Sequence, residues 1–330
     1  MKEALASWQR IVSRFFSLEG MHNVVVTVRS VAKGQSILAK YHDLPNERLS
    51  YTVVEDIAVS HAFDDAVRSD PPLDAVIHTA SPFHYNVTDP KKDLLDPAII
   101  GTTGILESIK RYAPTVRRVV ITSSFASMII PAAHPRIYDE TVWNSVTLDE
   151  ATKDATTAYR ASKTFAERAA WDFILKERPS FTISTINPPS IFGPIADYAG
   201  IATTINTSNE RFRDMIQGNM QDGLAPTGAF LWVDVRDVAE AHAKAMETEE
   251  AANKRFFIVQ GHFTNADIAN IIKQEFTDRA AKLPENPLSD MPNDVYGYDN
   301  SQSKVVLGLQ YRPLRQCVID SVNALLEKGL

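Results

Sequence analysis

Tyr159 and Lys163 stand four positions apart in Tyr-Arg-Ala-Ser-Lys, the only Tyr-x-x-x-Lys pair among ten tyrosines. On a helix this spacing sets both side chains on one face, one turn apart. Upstream, the run RRVVITSSFASMII (Arg117 to Ile130) carries an apolar strand pattern, Val119, Val120 and Ile121, to Ser123 and Ser124. A phenol beside an ammonium group is an acid held near its working range, because the cation favours the phenolate and lowers a pKa that is ordinarily about 10. It can give a proton to an oxygen atom near neutral pH, while a serine hydroxyl stabilises the charge developing on that oxygen. The set suits reduction of a carbonyl, in which a nicotinamide supplies hydride to carbon and the phenol supplies the proton to oxygen. The tyrosine–lysine spacing alone is weak, since about half of all chains of this size and composition would contain one by chance. Its place after a serine-bearing strand gives it weight.

Such a site needs strands that end together and helices that cover them. Alternating patterns predict strands at Asn23–Val28, Leu49–Val54, Ala75–His78, Arg118–Thr122, Thr182–Ile186 and Arg255–Val259. Between them, helical spacing predicts Gly34–Tyr41, Ala58–Arg68, Leu94–Tyr112, Ala155–Lys176 and Val235–Met246, with a shorter helix near Glu210–Gln217. Strands alternating with helices imply a parallel sheet covered on both faces. The pattern becomes irregular after Pro188, and that segment, with the tail from about Phe263, is expected to build a smaller lobe.

These residues, with the strings AVIHTASPF (Ala75 to Phe83), TINPPSIFGP (Thr185 to Pro194), FLWVDVRDVA (Phe230 to Ala239) and VYGYDNSQSKVVLGL (Val295 to Leu309) in that order, resemble the extended short-chain dehydrogenase/reductases. The likeness runs from about Asn23 to Leu326 and is strongest to the branch of fungal aldehyde and ketone reductases and plant dihydroflavonol 4-reductase. It implies an α/β fold, a Rossmann-like doubly wound parallel sheet with a smaller substrate lobe. The expected division is an NADP-binding domain over residues 1–187, to which 229–262 returns, and a substrate-binding lobe from 188–228 and 263–330. The resemblance also implies Ser124, Tyr159 and Lys163 as the catalytic set; the residues themselves leave Ser123 and Ser124 open, and the family favours Ser124. Many members carry an asparagine three positions before the Gly-Thr of the long helix, where Ala98 stands here, so the likeness does not extend to an asparagine-dependent proton relay.

The first predicted strand ends in Thr27-Val28-Arg29-Ser30. A carboxylate at that point would bind a free ribose 2'-hydroxyl, whereas an arginine pairs with a 2'-phosphate, so Arg29, with Lys33 as a second positive charge, favours NADPH over NADH. By resemblance, Asp56 and Ile57 border the adenine; Thr79, Ala80 and Ser81 lie along the ribose and pyrophosphate; Pro188 and Ser190 lie beside the nicotinamide. Tyr159 and Lys163 would also hold the cofactor ribose. Phe83, Phe125, Tyr198 and Trp232 are expected in the substrate pocket.

The chain departs from the family at its start. Members open with a buried strand and a Gly-x-x-Gly-x-x-Gly turn whose amides bind the pyrophosphate. The first glycine here is Gly20, and residues 1–20 read as a helix from about Leu5 to Phe16 leading into the strand at Asn23. The first strand and phosphate loop are therefore expected to be absent, with weakened cofactor binding and lower stability as the consequences. Two other readings compete with the reductase: a divergent binding protein that kept the fold without turnover, and a sugar-nucleotide epimerase or dehydratase using the same three residues.

Composition narrows the partners. A net charge of -7 without a long basic run argues against a nucleic-acid surface. One cysteine, Cys317, allows no internal disulfide, and eight scattered histidines give no metal-binding spacing. No stretch of about 18 apolar residues spans a bilayer. The expectation is a cytoplasmic enzyme acting on a small carbonyl compound, without metal, nucleic acid or membrane.

Overall fold

In a computed structural model of the chain, residues 22–42, 48–80, 88–195, 205 and 207–330 are described. Strands β1 (Val24–Val28) and β2 (Leu49–Val53) form a parallel pair. Strands β3 (Ala75–His78), β4 (Arg118–Thr122), β6 (Thr182–Asn187) and β9 (Lys254–Phe257) form a four-stranded parallel sheet in the order β3-β4-β6-β9, with the two-residue β5 (Ile137–Tyr138) outside it. Val119, Val120 and Ile121 of β4 are at most 3% exposed, the signature of a strand buried on both faces. Among the described residues, no strand is hydrogen-bonded between β1 and β3.

Helix α1 (Val31–Lys40) follows β1 and is capped by the Ser30 hydroxyl. Gly34 lets it approach β2: a Cβ there would sit 2.3 Å from the Tyr51 ring. Helix α2 (Asp96–Tyr112) leads to β4 and is packed against helix α3 (Ala155–Glu177), where Ala170 meets Ile105, Leu106 and Ile109, while Ala158 and Ala161 of α3 pack with Leu94 and Leu95 just before α2. The Asp154 side chain caps the start of α3, accepting the Thr157 amide at 2.9 Å.

The predicted helix Ala58–Arg68 does not form. The segment is a series of turns closed mainly by bonds spanning three residues, such as Ala62 N–H to Val59 O, and His61 adopts φ 66°, a left-handed conformation that breaks a helix. Its apolar spacing survives, because Phe63 and Val67 are still buried against α2.

The later chain builds a second core. Helices α4 (Thr207–Gln217), α6 (Asn265–Glu275) and α7 (Leu314–Leu326) pack Phe212, Met215, Ile268, Ile272, Val318 and Val322 together. A small sheet orders β7 (Ser190–Phe192) and β8 (Leu231–Asp234) with the short β10 (Gly261–His262), with β8 between the other two. Helix α5 (Val235–Glu247) follows β8 and is capped by Asp234. Gly193, with φ 135°, turns the chain out of β7; a Cβ there would lie 2.5 Å from Val235 Cγ1, so only glycine fits. Among the described residues no helix is long and apolar enough to cross a membrane, and no group of His, Cys, Asp or Glu is arranged to hold a metal ion.

Candidate active site

Apart from Lys33, Tyr159 and Lys163, which lie on helices, the cofactor and carbonyl contacts expected from sequence within the described residues lie just beyond the carboxyl ends of parallel strands. Arg29 follows β1, Asp56 and Ile57 follow β2, Thr79 and Ala80 follow β3, Ser124 follows β4, and Pro188 and Ser190 follow β6. In open parallel sheets this edge is where ligands bind. Ser81, Phe83 and Tyr198 lie outside the described residues, as does the predicted helix Leu5–Phe16.

The geometry separates the two serines. Ser123 is buried and its hydroxyl donates to Glu167 Oε2 at 2.5 Å. Ser124 is half-buried and adopts extended backbone at the start of the short turn Phe125–Ser127. Its Oγ accepts the Ala126 amide at 3.1 Å, which leaves its O–H available to donate. A hydroxyl with a spare proton at a strand end is what a carbonyl oxygen requires.

Tyr159 and Lys163 lie on α3, one turn apart, with Tyr159 half-buried and Lys163 buried at 6% exposure. The same helix packs against Phe125–Ser127, which brings its face to the loop that carries Ser124. Burial pushes the Lys163 ammonium down to about 8, against an opposing pull from the Glu167 carboxylate. His78, at the end of β3, is 5% exposed, and its Nε2 has no hydrogen-bond partner among the described residues. Burial, and then the charge of Lys163, lower the His78 imidazole to about 4, so it is neutral at pH 7.

Glu167, one turn beyond Lys163, was not singled out from sequence. Its carboxylate gathers Ser127 Oγ (2.6 Å), Asn187 Nδ2 (2.8 Å), Thr185 Oγ1 (3.0 Å) and Arg255 Nε (2.7 Å) in addition to Ser123. Burial alone would raise its pKa, but the Arg255 charge and hydrogen bond, with those of Ser123 and Ser127, outweigh this and lower it. An acidic residue continuing the Tyr159–Lys163 stripe was the available signal.

At the other end of the site, Arg29 is exposed immediately before the capped start of α1, and Lys33 is half-buried in its first turn. Asp56 uses Oδ1 to accept the Ala58 amide at 2.9 Å, and Ile57 packs toward α2. Pro188 accepts the Phe125 amide through its carbonyl at 2.8 Å, tying the end of β6 to the Ser124 loop. Two of the expected pocket residues lie in the core instead. Phe125, 3% exposed, stacks on Phe257 with centroids 5.2 Å apart, and Trp232, fully buried, stacks on Phe192 at 5.9 Å. Large aromatic side chains bury so much apolar area that the core competes for them.

Residues 10–259 match the NAD dependent epimerase/dehydratase family. The chain belongs to that family. It is 50% identical to ketoreductase azaE of Aspergillus niger over 94% of this chain and 93% of that one. It is 33% identical to the NADPH-dependent methylglyoxal reductase GRE2 of Saccharomyces cerevisiae, covering 93% and 92% of the two chains. The crystal structure of Gre2 in complex with NADPH from Candida albicans superposes with a TM-score of 0.89 at 35% identity, over 98% of this chain and 96% of that one. These relatives are reductases, and they favour neither the non-catalytic binding protein nor the sugar-nucleotide enzyme weighed from sequence.

Proposed function

We propose that this chain reduces an aldehyde or ketone to an alcohol with NADPH. The observation that carries the reading is the division of labour between adjacent serines: Ser123 is committed to Glu167, while Ser124 keeps a donor at the strand end beside the Tyr159–Lys163 helix face. Family membership and the reductase relatives support the same reading.

The residues present fit the cofactor at both ends of its path. Arg29 and Lys33, set at a helix start whose field favours anions, suit a 2'-phosphate. Lys163 is a buried ammonium near His78, whose Nε2 has no partner among the described residues, and the two polar groups suit the hydroxyls of a ribose. Asp56 and Ile57 would border the adenine, Thr79, Ala80 and Ser81 the sugar and pyrophosphate, and Pro188 and Ser190 the nicotinamide. Bound NADPH supplies hydride to the carbonyl carbon. Ser124 Oγ–H donates to the carbonyl oxygen and stabilises the charge that builds there. The Tyr159 phenol transfers its proton to that oxygen. Lys163, as a cation, lowers the cost of the resulting phenolate. A cytoplasmic location belongs to the same proposal, supported by a lone, buried Cys317 that calls for no oxidising compartment.

The test is oxidation of NADPH, followed by absorbance, with methylglyoxal, isovaleraldehyde and a set of aryl ketones. Wild-type chain should turn over at least one of them, and Tyr159→Phe should retain less than about a tenth of its kcat, since such an acid contributes about 10²- to 10⁴-fold. NADPH affinity should be largely kept in that variant. Undiminished activity in Tyr159→Phe would remove the tyrosine from the proposed role.

A further inference from the structure

Among the described residues, Glu167 carries an unusually dense set of side-chain hydrogen bonds. Its side chain is 1% exposed, and its two oxygens meet groups from three other parts of the chain. Ser123 and Ser127 come from the loop after β4, Thr185 and Asn187 from β6, and Arg255 from β9, while the carboxylate itself rides on α3. Arg255 is held in turn by the carbonyls of Glu140 (2.6 Å) and Val142 (2.9 Å), and its guanidinium lies 3.7 Å from the centroid of the Trp143 ring. A carboxylate that only closed a core would not need so many donors; an apolar side chain would fill the space at less cost in desolvation.

The bonds converge on the residues flanking Ser124. Ser127 Oγ lies 2.6 Å from Glu167 Oε2 and 2.8 Å from the Ser124 carbonyl, and Ser123 precedes Ser124 directly. Glu167 is also four residues beyond Lys163 and eight beyond Tyr159, so the three form one stripe along α3. We propose that Glu167 is a positioning residue with two effects: it fixes the loop that presents Ser124, and its charge holds Lys163 as a cation. The inference rests on the reductase reading.

Few other charges compete at Lys163. Across from it, β3 contributes the neutral His78, and β9 contributes Arg255, which is paired to Glu167. Tyr159 lies on the same helix. The Ser124 loop from Phe125 to Ser127 and strand β6 carry no titratable group. The outer elements packed on α3 send their charges into solvent, as in the pairs Lys91–Asp96 (3.2 Å), Lys110–Glu177 (2.7 Å) and Lys153–Glu150 (3.8 Å), and Asp93 accepts the Thr88 amide. Glu167 is therefore the anion set against the burial that depresses Lys163.

The experiment compares wild type, Glu167→Gln, Glu167→Asp and Ser127→Ala. Titration of Lys163 is followed by NMR on lysine-labelled protein without cofactor or substrate, its signal assigned by loss in Lys163→Met. The wild-type midpoint should lie near 8. Glu167→Gln should lower it, because the variant removes the anion and leaves the Arg255 charge uncompensated; Glu167→Asp should restore it. In turnover, Glu167→Gln should lose about tenfold or more in kcat with little change in KM, and the alkaline limb of its pH profile should move to lower pH. Ser127→Ala, which keeps the charge and deletes one hydroxyl, should lower kcat while leaving the midpoint in place, and it serves if the glutamine variant does not fold. An unmoved Lys163 midpoint in Glu167→Gln, or full kcat in Ser127→Ala, would overturn the proposal. The midpoint is read without catalysis, so an inactive wild-type chain would count against the reductase reading alone.

Discussion

Replacing each of the two adjacent serines with alanine should give opposite phenotypes. Ser124→Ala deletes the hydroxyl whose proton is free for a substrate oxygen. Removing one such donor costs about 10²- to 10³-fold in kcat. Its structural penalty is small, because the lost bond is the 3.1 Å cap of the Ala126 amide, a contact worth about 0.5–2 kcal/mol. Ser123→Ala deletes a 2.5 Å bond to a buried carboxylate. A hydrogen bond to a charged group contributes about 1.5–3 kcal/mol, so the melting temperature should fall by on the order of 5 °C. Turnover in Ser123→Ala should drop by no more than about tenfold, because Glu167 retains Ser127, Asn187 and Arg255 and the Ser124 donor is intact. Thermal melts and steady-state kinetics on both variants decide the matter. Severe loss of kcat in Ser123→Ala with near wild-type turnover in Ser124→Ala would show that the roles have been assigned backwards.

Two further outcomes follow from the charges. Arg29→Asp should shift cofactor preference from NADPH toward NADH, because it replaces a cation suited to a 2'-phosphate by a carboxylate that repels it; an unchanged ratio of kcat/KM for the two cofactors would place Arg29 away from the phosphate. His78 and His242 are both lowered from 6.5 to about 4, His78 by burial and the Lys163 charge, and His242 by burial against a smaller pull from the Val238 carbonyl. The unfolded chain therefore binds more protons than the folded one between those values, and stability should fall as pH drops from 6.5 toward 4, by up to about 3 kcal/mol per histidine. Asp237, pushed up to about 6 by burial, opposes part of that loss. His78→Leu should flatten the profile of melting temperature against pH over this window; a slope equal to that of wild type would mean that His78 is not buried neutral.

The parallel framework was legible because RVVIT reads as the short apolar run of a buried strand and TISTIN as a run rich in β-branched residues, each flanked by helical spacing on either side. The later helices were harder. Helix α6 does carry a start signal, since Thr264 and Asp267 form a capping box, but it follows a short strand at Gly261–His262 that has too few residues to show alternation. Within the site, the tyrosine–lysine spacing and the strand-end serines were visible because helices and strands fix those distances locally. The role of Glu167 was not, because its partners at 123, 127, 185, 187 and 255 come together only when three strands and a helix have packed. Aromatic residues mislead in the reverse direction: Phe125 directly follows Ser124, and Trp232 lies in a strand of the smaller sheet, yet tertiary packing takes both rings into the core.

The same logic bears on the interval between β1 and β3, which no hydrogen-bonded strand bridges among the described residues. Parallel strands that end in a shared cleft need a common support if their loops are to face one ligand. Helix α5 provides it: Val24 of β1 and Ile77 of β3 both pack on Val235, Ala239 and Ala243. His22, just before β1, is bonded to Glu247 at the last turn of that helix at 2.9 Å. Three small or β-branched residues on one helix face thus tie the strand that leads into Arg29 to the strand that leads into Thr79. The Arg29 end and the Lys163 end are then referenced to one helix. A bulky residue at Ala239 would separate those strands without touching any group that does chemistry, which is why the site depends on packing as far away as the outer face of the sheet.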